Sequence, residues 1–336
     1  MSNVRIAVIG AGIAGLSCAR ELARTDSEVT VFERSRGLGG RLATRRTGEL
    51  AFDHGAQFLT ARSRPFVKYI GTAVRSESAG AWRPRIIEDE RQFDEPIDDW
   101  LVGTPGMSSV VRPLARGLRV RSGVLVRELL RGRKGWELAT DAGRLPGAFD
   151  AVAVAVPAPG ALTLLGPHGR VFRNLTNVGM GPCWTTMAAF AAPLAAATAQ
   201  AYRYTSGSLA WAANDSSKPG RPVGPESWVL HSSTRWAEQH IEADAGQAAR
   251  LLLQEFSHAL GEALPVPVGL QAHRWRHALV ERPLGLPCLV DEEIAAGACG
   301  DWCTAPRVEA AFESGRALAH SLLPAVGLSA ALARRR

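Results

Sequence analysis

VRIAVIGAGIAG, at residues 4–15, has the pattern of a buried strand that runs into a glycine-rich turn and the start of a helix. In that pattern Gly10 allows the tight turn, Gly12 lets the backbone approach a pyrophosphate, and Gly15 lets the helix pack close to the strand. The unpaired N–H groups at the helix start attract phosphate. The spacing therefore predicts a Rossmann-type dinucleotide site. Its predicted phosphate-binding residues are Gly10, Ala11, Gly12, Ile13, Ala14 and Gly15.

A second strand, at residues 29–32, ends at Glu33, which stands 18 positions after Gly15. A carboxylate at this point can accept hydrogen bonds from both ribose hydroxyls of a dinucleotide. Another glycine-rich segment, Gly39-Gly40-Arg41, follows shortly afterwards. A plain structural turn does not account for Glu33, so we interpret the whole region as a nucleotide site. The predicted residues in this second part are Glu33, Arg34, Gly40 and Arg41.

The charge of the chain suits a small anionic partner. The formal net charge of the 336 residues is +7, and the 39 basic residues include three lysines, Lys68, Lys134 and Lys218. The arginines are scattered along the chain, whereas nucleic-acid binding favours clusters on one element. We therefore expect no nucleic-acid partner, and an anionic small substrate is consistent with the charge.

We expect a cytoplasmic protein that does not cross a membrane. The chain starts directly on its first strand, which leaves no room for a signal peptide. Residues 174–202 carry no charge, but Pro182 and Pro193 disfavour a spanning helix, and Cys183–Phe190 suits a buried strand. The five cysteines lack C-x-x-C spacing, so we predict reduced thiols and no metal site.

The order of the strand and helix patterns predicts an α/β fold whose nucleotide domain uses the beginning, middle and end of the chain. The apolar run Phe149–Val156 fits a parallel strand buried on both faces. Further predicted elements include a strand at residues 82–87 and helices at residues 107–118, 237–260 (one long helix) and 308–323. The predicted dinucleotide-binding domain comprises residues 1–63, 98–165 and 285–330, and the inserted α+β substrate domain comprises residues 64–97 and 166–284.

Taken in order, these segments resemble renalase and its bacterial relatives, a branch of the amine-oxidase-type flavoproteins. The residues shared with the wider flavoproteins are 10–15, 39–41, 55–58 (GAQF), 105–107 (PGM) and 300–301. The residues that resemble the renalase branch itself are 211–221, 229–233 and 274–277 (RWRH). Phe58 departs from the tyrosine of some relatives, which removes a hydrogen bond and keeps an aromatic wall. The resemblance implies a Rossmann-type FAD-binding domain with an inserted substrate domain.

The resemblance also implies FAD bound without a covalent bond. Gly300 and Asp301 would hold the pyrophosphate and ribityl chain, and the helix beginning near Val308 would direct its N-terminus at the flavin. An ordinary helix N-cap is the alternative for Asp301, and both interpretations place a carboxylate beside a helix start. The other implied cofactor contacts are Ala56, Gln57, Phe58 and the backbone of Val124.

Renalase-like enzymes are associated with oxidation of 2- or 6-dihydronicotinamide dinucleotides. The resemblance therefore implies hydride transfer to flavin N5, reoxidation by O2, and release of hydrogen peroxide and NAD(P)+. A dihydropyridine becomes aromatic by losing hydride, so no general base is required and no catalytic side chain is assigned. The site needs a flat, mostly apolar slot that orients the ring, and we expect Phe58, Trp211 and Trp275 to form it.

Polar residues near these aromatics are candidates for substrate contacts. His231 and His277 could each hydrogen-bond a carboxamide, or each could be satisfied by backbone within a strand. Asn214, with Asp215, lies in a loop near Trp211 and could contact substrate. The arginines at positions 274 and 276 flank Trp275 at strand spacing, so we expect them to face away from it.

Two other functions stay open. One is a flavin amine oxidase or desaturase acting on another small reduced substrate, and the other, of a different class, is an FAD-binding sensor with little turnover. Amine oxidases of this superfamily commonly place a lysine near flavin N5, and this chain has no lysine after Lys218. Because Lys218 stands in a Pro/Gly-rich loop, we expect it not to replace that lysine and amine turnover to be poor. The oligomeric state, the preferred isomer and the choice between NAD and NADP stay open.

Overall fold

The computed structural model describes residues 4–89, 91–96 and 98–329. Its first strand, turn and helix form where the sequence predicts them. The strands are β1 (Val4–Ile9), β2 (Ser27–Glu33), β3 (Thr44–Thr47), β4 (Leu50–Asp53), β5 (Ala79–Ala81), β6 (Ile86–Glu88), β7 (Arg91–Phe93), β8 (Leu101–Gly103), β9 (Arg119–Ser122), β10 (Val126–Gly132), β11 (Gly135–Thr140), β12 (Gly143–Arg144), β13 (Ala151–Val154), β14 (Gly179–Phe190), β15 (Ala201–Arg203), β16 (Leu209–Asn214), β17 (Glu226–Ser232), β18 (Gly269–Arg282), β19 (Leu289–Asp291) and β20 (Ala296–Ala298).

Helices connect and cover these strands. The α-helices are α1 (Ile13–Leu22), α2 (Arg64–Arg75), α3 (Arg112–Ala115), α4 (Ala158–Leu165), α5 (Thr234–Gln239), α6 (Ala245–Leu260) and α7 (Val308–Ala325). Short 3-10 helices lie at Gly40–Leu42, Met107–Val111, Arg170–Asn177, Asp215–Ser217 and Asp301–Cys303.

A six-stranded sheet in the order β19-β20-β13-β1-β2-β9 forms the nucleotide-binding half. All its pairs are parallel except β19 with β20. Alternate residues of its buried strands pack on opposite sides: Ile6 and Val8 belong to the core with α1 and α7, whereas Ala7 and Ile9 belong to the core with β11 and α4. The buried strand predicted at residues 149–156 is β13, which lies between β1 and β20.

A seven-stranded sheet in the order β18-β14-β17-β16-β15-β6-β7 forms the other half. Its long strand β14, next to the edge strand β18, is buried over most of its length, which confirms the strand predicted at Cys183–Phe190. Helices α5 and α6 cover one face, where Trp228 and Phe256 are in the core. The hairpin β3–β4 covers part of the opposite face, where Phe52 packs on Met187 and Val229. The α/β two-domain fold class is confirmed, and the residue boundaries of the domains stay a prediction.

Three predicted elements differ in extent. The helix predicted at residues 237–260 is two helices, because the chain turns after α5 and the Asp244 side chain then caps α6 at the N–H groups of Gly246 and Gln247. The helix predicted at residues 107–118 is a 3-10 turn followed by the four-residue α3. Pro113 lacks an N–H group, which favours its place in the first turn of α3.

The strand predicted at residues 82–87 is also shorter, because Pro84 cannot donate a ladder hydrogen bond and pairing begins at Ile86. Across the described residues, none of the helices combines the length and the apolar character that crossing a membrane would require.

Candidate functional site

The glycine-rich turn leads directly into α1, whose N-terminus has no side-chain cap. A Cβ on Gly15 would lie 1.9 Å from the carbonyl oxygen of Gly10, so α1 packs directly on the turn. Gly12 is the N-cap of α1, and no side chain caps that helix, which leaves N–H groups of its first turn available to an anion. The Gly39 N–H donates to the Ala11 carbonyl at 2.9 Å, which brings the second glycine segment against the first. The predicted residues 10–15 and Gly40 therefore form one cradle.

Glu33 ends β2 with its side chain buried beside this cradle. Its two carboxylate oxygens accept the N–H groups of Ala11 and Ser35, each at 2.8 Å. The Val124 N–H donates to the Glu33 carbonyl at 2.9 Å, so the backbone of Val124 lies at the same end of the site. Each carboxylate oxygen keeps a lone pair for a ribose hydroxyl. The arrangement fits the adenosine end of a dinucleotide, and Arg34, which follows Glu33, is exposed.

Arg41 connects the cradle to the C-terminal part of the sheet. Its guanidinium donates to both carboxylate oxygens of Asp301, at 2.8 and 2.6 Å, and to the Ala278 carbonyl at 3.2 Å. The Ala56 N–H donates to the Arg41 carbonyl at 2.8 Å. A Cβ on Gly55 would lie 2.0 Å from that same carbonyl oxygen, so residues 55–58 pack directly on Arg41. Arg41, Ala56 and Asp301, predicted from three distant segments, are therefore brought together.

Asp301 is not the N-cap of α7. The N-cap of that helix is Arg307, and Asp301 instead starts a 3-10 turn and accepts the Trp302 N–H at 2.9 Å. Gly300 precedes it and donates its N–H to the Ser314 hydroxyl at 3.1 Å. Val308 begins α7 as predicted.

One face of the seven-stranded sheet carries a row of polar and aromatic side chains. Trp211 of β16 pairs with His231 of β17, His231 pairs with Thr185 of β14, and Thr185 pairs with His273 of β18. Side chains of directly paired residues lie on the same face of a sheet. His231 also lies 3.5 Å from the Gln57 side-chain nitrogen, so the row faces the segment that packs on Arg41.

Trp275 and His277 continue this face along β18. The Trp275 indole donates to the His54 carbonyl at 3.0 Å, and its ring stacks on His54 with centroids 5.1 Å apart. Arg274 and Arg276 lie on the opposite face, where both bond to Glu242 at 2.9 Å, as the alternation predicts. The two faces of β18 therefore differ: the outer one is ion-paired, and the inner one is aromatic and imidazole-rich.

The three aromatics predicted to form a slot separate into two groups. Phe58 stacks on Trp100 with ring centroids 3.8 Å apart and lies 5.7 Å from Trp211, so these form an aromatic cluster. Trp275 instead contacts His54 and His273. The Trp211 Nε1–H is buried and has no hydrogen-bond partner among the described residues, so it is available to a ligand.

Burial keeps the histidines of this face neutral. It lowers the pKa of His231 to about 4, with a further contribution from the Lys218 ammonium. Burial followed by the field of nearby Arg45 lowers the pKa of His273 to about 4. His54 has its pKa lowered to about 3 by burial and by His273. Burial also lowers the pKa of His277, with Arg276 and Arg41 contributing. At neutral pH these imidazoles can donate or accept hydrogen bonds without adding charge.

Two side chains that were predicted to contact the substrate or the cofactor form hydrogen bonds within the protein instead. The Asn214 amide donates to Glu226 at 2.6 Å and its oxygen caps the Ser217 N–H, so the side chain is not directed at the sheet face. The Gln57 amide nitrogen donates to the carbonyls of Asp53 and Gly55, and its oxygen accepts from Lys218. The Gln57 amide is therefore engaged within the protein, and its predicted cofactor contact stays a prediction.

Lys218 lies in the loop between β16 and β17, and the expectation that it does not replace the lysine near flavin N5 stays a prediction. Its side chain is fully buried, and its ammonium lies 3.2 Å from Gln57 and 2.6 Å from Asp215. The Pro/Gly-rich pattern does not indicate burial, and it is the buried carboxylates of Asp53 and Asp215 that hold the lysine in the interior. Sequence reasoning also missed His273, although the alternation that assigned the arginines of β18 places His273 with Trp275. Arg45 and Trp100 carried no comparable signal, since their positions depend on tertiary contacts.

Comparisons with known proteins match two families along the chain. Residues 8–70 match the NAD(P)-binding Rossmann-like domain, and residues 72–285 match the flavin containing amine oxidoreductase family. Among curated proteins, the putative flavin-containing monoamine oxidase AofH of Mycobacterium tuberculosis is 46% identical over 57 residues. That match covers 17% of this chain and 13% of the length of AofH.

Solved structures share the fold over nearly the whole chain. A putative protoporphyrinogen oxidase from Exiguobacterium superposes with a TM-score of 0.75 at 13% identity, covering 96% of this chain and 99% of that one. Wild-type putrescine oxidase bound to putrescine superposes with a TM-score of 0.69 at 13% identity, covering 96% and 100%. Members of the matched family are FAD-dependent oxidoreductases, and the cradle and Glu33 fit that cofactor. Because the family match spans more than half of the residues, the chain belongs to the flavin-containing amine oxidoreductase family.

Proposed function

We propose that this protein is an FAD-dependent oxidase that takes hydride from 2- or 6-dihydronicotinamide dinucleotides and yields NAD(P)+ and, with O2, hydrogen peroxide. The observation that carries the proposal is the row Trp211, His231, Thr185 and His273 on one sheet face. It is an aromatic and neutral hydrogen-bonding surface, and it lies against the segment that packs on Arg41. The sequence resemblance in residues 274–277 supports the same assignment.

A dihydropyridine suits such a surface because it becomes aromatic by losing hydride and needs no base. When bound, FAD supplies the hydride acceptor and passes the electrons to O2. The protein has to orient the ring, and the aromatic side chains restrict it to a plane. The free Trp211 N–H and the neutral His231 supply hydrogen bonds suited to a carboxamide.

Two arginines near the site support a phosphate-bearing substrate. Arg45 contacts His273 at 3.3 Å, and Arg34 contributes to the field at His273 and His277. Neither arginine makes an ion pair with a carboxylate in the described part of the chain. Unpaired guanidinium groups bind phosphate well, since their planar N–H donors match its oxygens. A dinucleotide carries such groups, whereas a simple amine does not.

The FAD is held without a covalent bond in this proposal. Cys299 and Cys303 stand two residues on either side of Asp301, and both are buried, which raises the pKa of Cys303 to about 12 and that of Cys299 well above its ordinary value and leaves both thiols unreactive. Acid precipitation should therefore release all the flavin into the supernatant, and yellow colour retained in the pellet would contradict noncovalent binding.

Anaerobic stopped-flow reduction of the flavin tests the substrate. We expect 2- or 6-dihydronicotinamide dinucleotides to bleach the flavin rapidly, and ordinary 4-dihydro NADH to do so slowly. Benzylamine, aliphatic monoamines, catecholamines and polyamines should produce peroxide no faster than buffer. If NADH or a primary amine reduces the flavin faster than either isomer, the assignment fails. Slow reduction by every donor would favour the sensor alternative.

Amine oxidation is the second candidate, and the buried Lys218 favours it. Lys218 lies beside the predicted cofactor segment, so the absence of any lysine after position 218 is a weaker argument against amine oxidation. Against it, the Lys218 ammonium is engaged within the protein, since it lies 2.6 Å from Asp215 and 3.5 Å from Asp53. Saturable peroxide production from an amine would place this candidate first.

A further inference from the structure

A closed cluster of four charged side chains is buried between the two halves of the protein. Lys218 lies 2.6 Å from Asp215 and 3.5 Å from Asp53, and Arg221 bonds to Asp53 and lies 3.6 Å from Asp215. Each of the four side chains is at most 2% exposed. Two basic and two acidic side chains face one another there, and burial together with Asp53 raises the pKa of Asp215 despite the opposing effect of Lys218 and Arg221. Removing charges from water is costly, so each member depends on its partners.

The cluster joins segments that are distant in sequence. Asp53 ends β4, while the other three members lie between β16 and β17. Asp53 also accepts the Met107 N–H at 2.8 Å and the Thr44 hydroxyl at 2.7 Å, and its own N–H donates to Asp215 at 3.2 Å. Burial would raise the pKa of Asp53, but Lys218, Arg221 and these hydrogen bonds lower it overall, so it stays ionised. The carboxylate therefore anchors the chain immediately before residues 54–58.

Lys218 extends the cluster to the cofactor segment. Its ammonium donates to the Gln57 side-chain oxygen at 3.2 Å. An ammonium group cannot accept a hydrogen bond, so it favours the orientation of the Gln57 amide in which the oxygen faces the lysine. The amide nitrogen then donates to the carbonyls of Asp53 and Gly55. These hydrogen bonds close the turn in which Gly55 and Ala56 pack on Arg41. Arg41 itself bonds to Asp301.

We propose that Lys218 is a positioning residue for the flavin: through Gln57 it holds residues 55–58 in the place that FAD binding requires. The remaining cluster members pair with the lysine and keep its buried side chain in place. The proposal depends on the FAD cofactor and not on the identity of the substrate, so failure of the substrate assignment leaves it intact.

The test compares Lys218→Met with the double variant Asp215→Asn/Lys218→Met. The single variant leaves two carboxylates against one arginine and should lower the unfolding temperature. The double variant leaves one carboxylate against one arginine and should recover most of that loss. In both, Gln57 lacks its ammonium partner, so we expect FAD to bind about tenfold more weakly, with a changed visible spectrum. Lys68→Met, at an exposed lysine of α2, is the matched control and should change neither quantity.

Gln57→Met separates positioning from a structural contribution and needs no change in the cluster. It should reproduce the spectral change and the loss of affinity, and combining it with Lys218→Met should add little, because both remove the same contact. The proposal is overturned if the double variant regains wild-type stability together with wild-type FAD affinity and spectrum. It is also overturned if Gln57→Met binds FAD as the wild type does, or if the two effects add.

Discussion

The phosphate cradle and the substrate-facing sheet are built in opposite ways. In the cradle, residues 10–15 are consecutive, and Glu33 bonds to Ala11, 22 positions away. On the sheet face, the neighbours in the row come from four strands and extend from Thr185 to His273. The first site follows from local spacing, whereas the second exists only when the strands pair in one register.

This difference has consequences for how each region tolerates change. In the cradle, substitutions are restricted by lack of space, since a Cβ on Gly15 would lie 1.9 Å from the Gly10 carbonyl oxygen. Cofactor binding there also depends on the single carboxylate of Glu33. On the sheet face, burial determines the properties of the side chains: it keeps the histidines neutral, and it leaves the Trp211 N–H without a protein partner. Substitutions should therefore affect cofactor affinity in the cradle, and substrate affinity or pH dependence on the sheet face.

Glu33→Gln should have the largest effect. The amide keeps the shape of the side chain, but it removes charge-assisted hydrogen bonds that are worth about 1.5–3 kcal/mol each. We expect the FAD dissociation constant to rise by about 10- to 100-fold, as measured by fluorescence titration of the apoprotein. Glu28→Gln, at the exposed start of the same strand, loses a surface ion pair with Arg119 and should bind FAD normally. An unchanged constant for Glu33→Gln would place this residue outside the site.

Acidification should destabilise the protein through the sheet face. In the unfolded chain His231 has its ordinary pKa of 6.5, whereas burial lowers its pKa to about 4 in the folded protein. At pH values between these two pKa values the unfolded state binds more protons than the folded state. His231 alone should therefore lower the free energy of unfolding by about 1.4 kcal/mol for each unit by which the pH falls. Urea denaturation between pH 7 and pH 5 measures this slope.

His231→Asn should have a shallower pH dependence than the wild type, and His258→Asn, at an exposed position of α6, should keep the wild-type slope. If the difference in stability between His231→Asn and the wild type is the same at both ends of this pH range, the folded protein does not hold His231 neutral.

Trp211→Phe should have the smallest effect, and it separates ligand binding from packing. Because the indole N–H has no protein partner, only the smaller ring should lower stability, by less than in Trp228→Phe, while KM should rise by about tenfold, the value of one hydrogen bond. Trp228→Phe is the matched control: its indole donates to Glu226 at 2.8 Å, so stability should fall. A Trp211→Phe enzyme with unchanged KM would remove this indole from the substrate site.

Much of the nucleotide half could be predicted from the sequence, because glycine spacing and apolar runs act locally. The strand at residues 149–156 and the helix beginning at Val308 form where they were expected. The break between α5 and α6 was missed, since Asp244 acts as a cap only once the chain has turned. The inserted half was predicted through its resemblance and its alternation, which placed the arginines of β18 opposite Trp275 but did not show what either face contacts.

The sequence by itself determined the Rossmann-type turn, the acidic residue at the end of β2 and the alternation along β18, because each depends on steric and periodic rules within a short segment. Only the tertiary structure decided that Lys218 is buried, that Gln57 turns its amide inward, and that Phe58 and Trp275 lie in separate groups. The physical reason is desolvation: whether a charged or polar side chain is buried depends on partners that distant strands supply, and no local pattern specifies them.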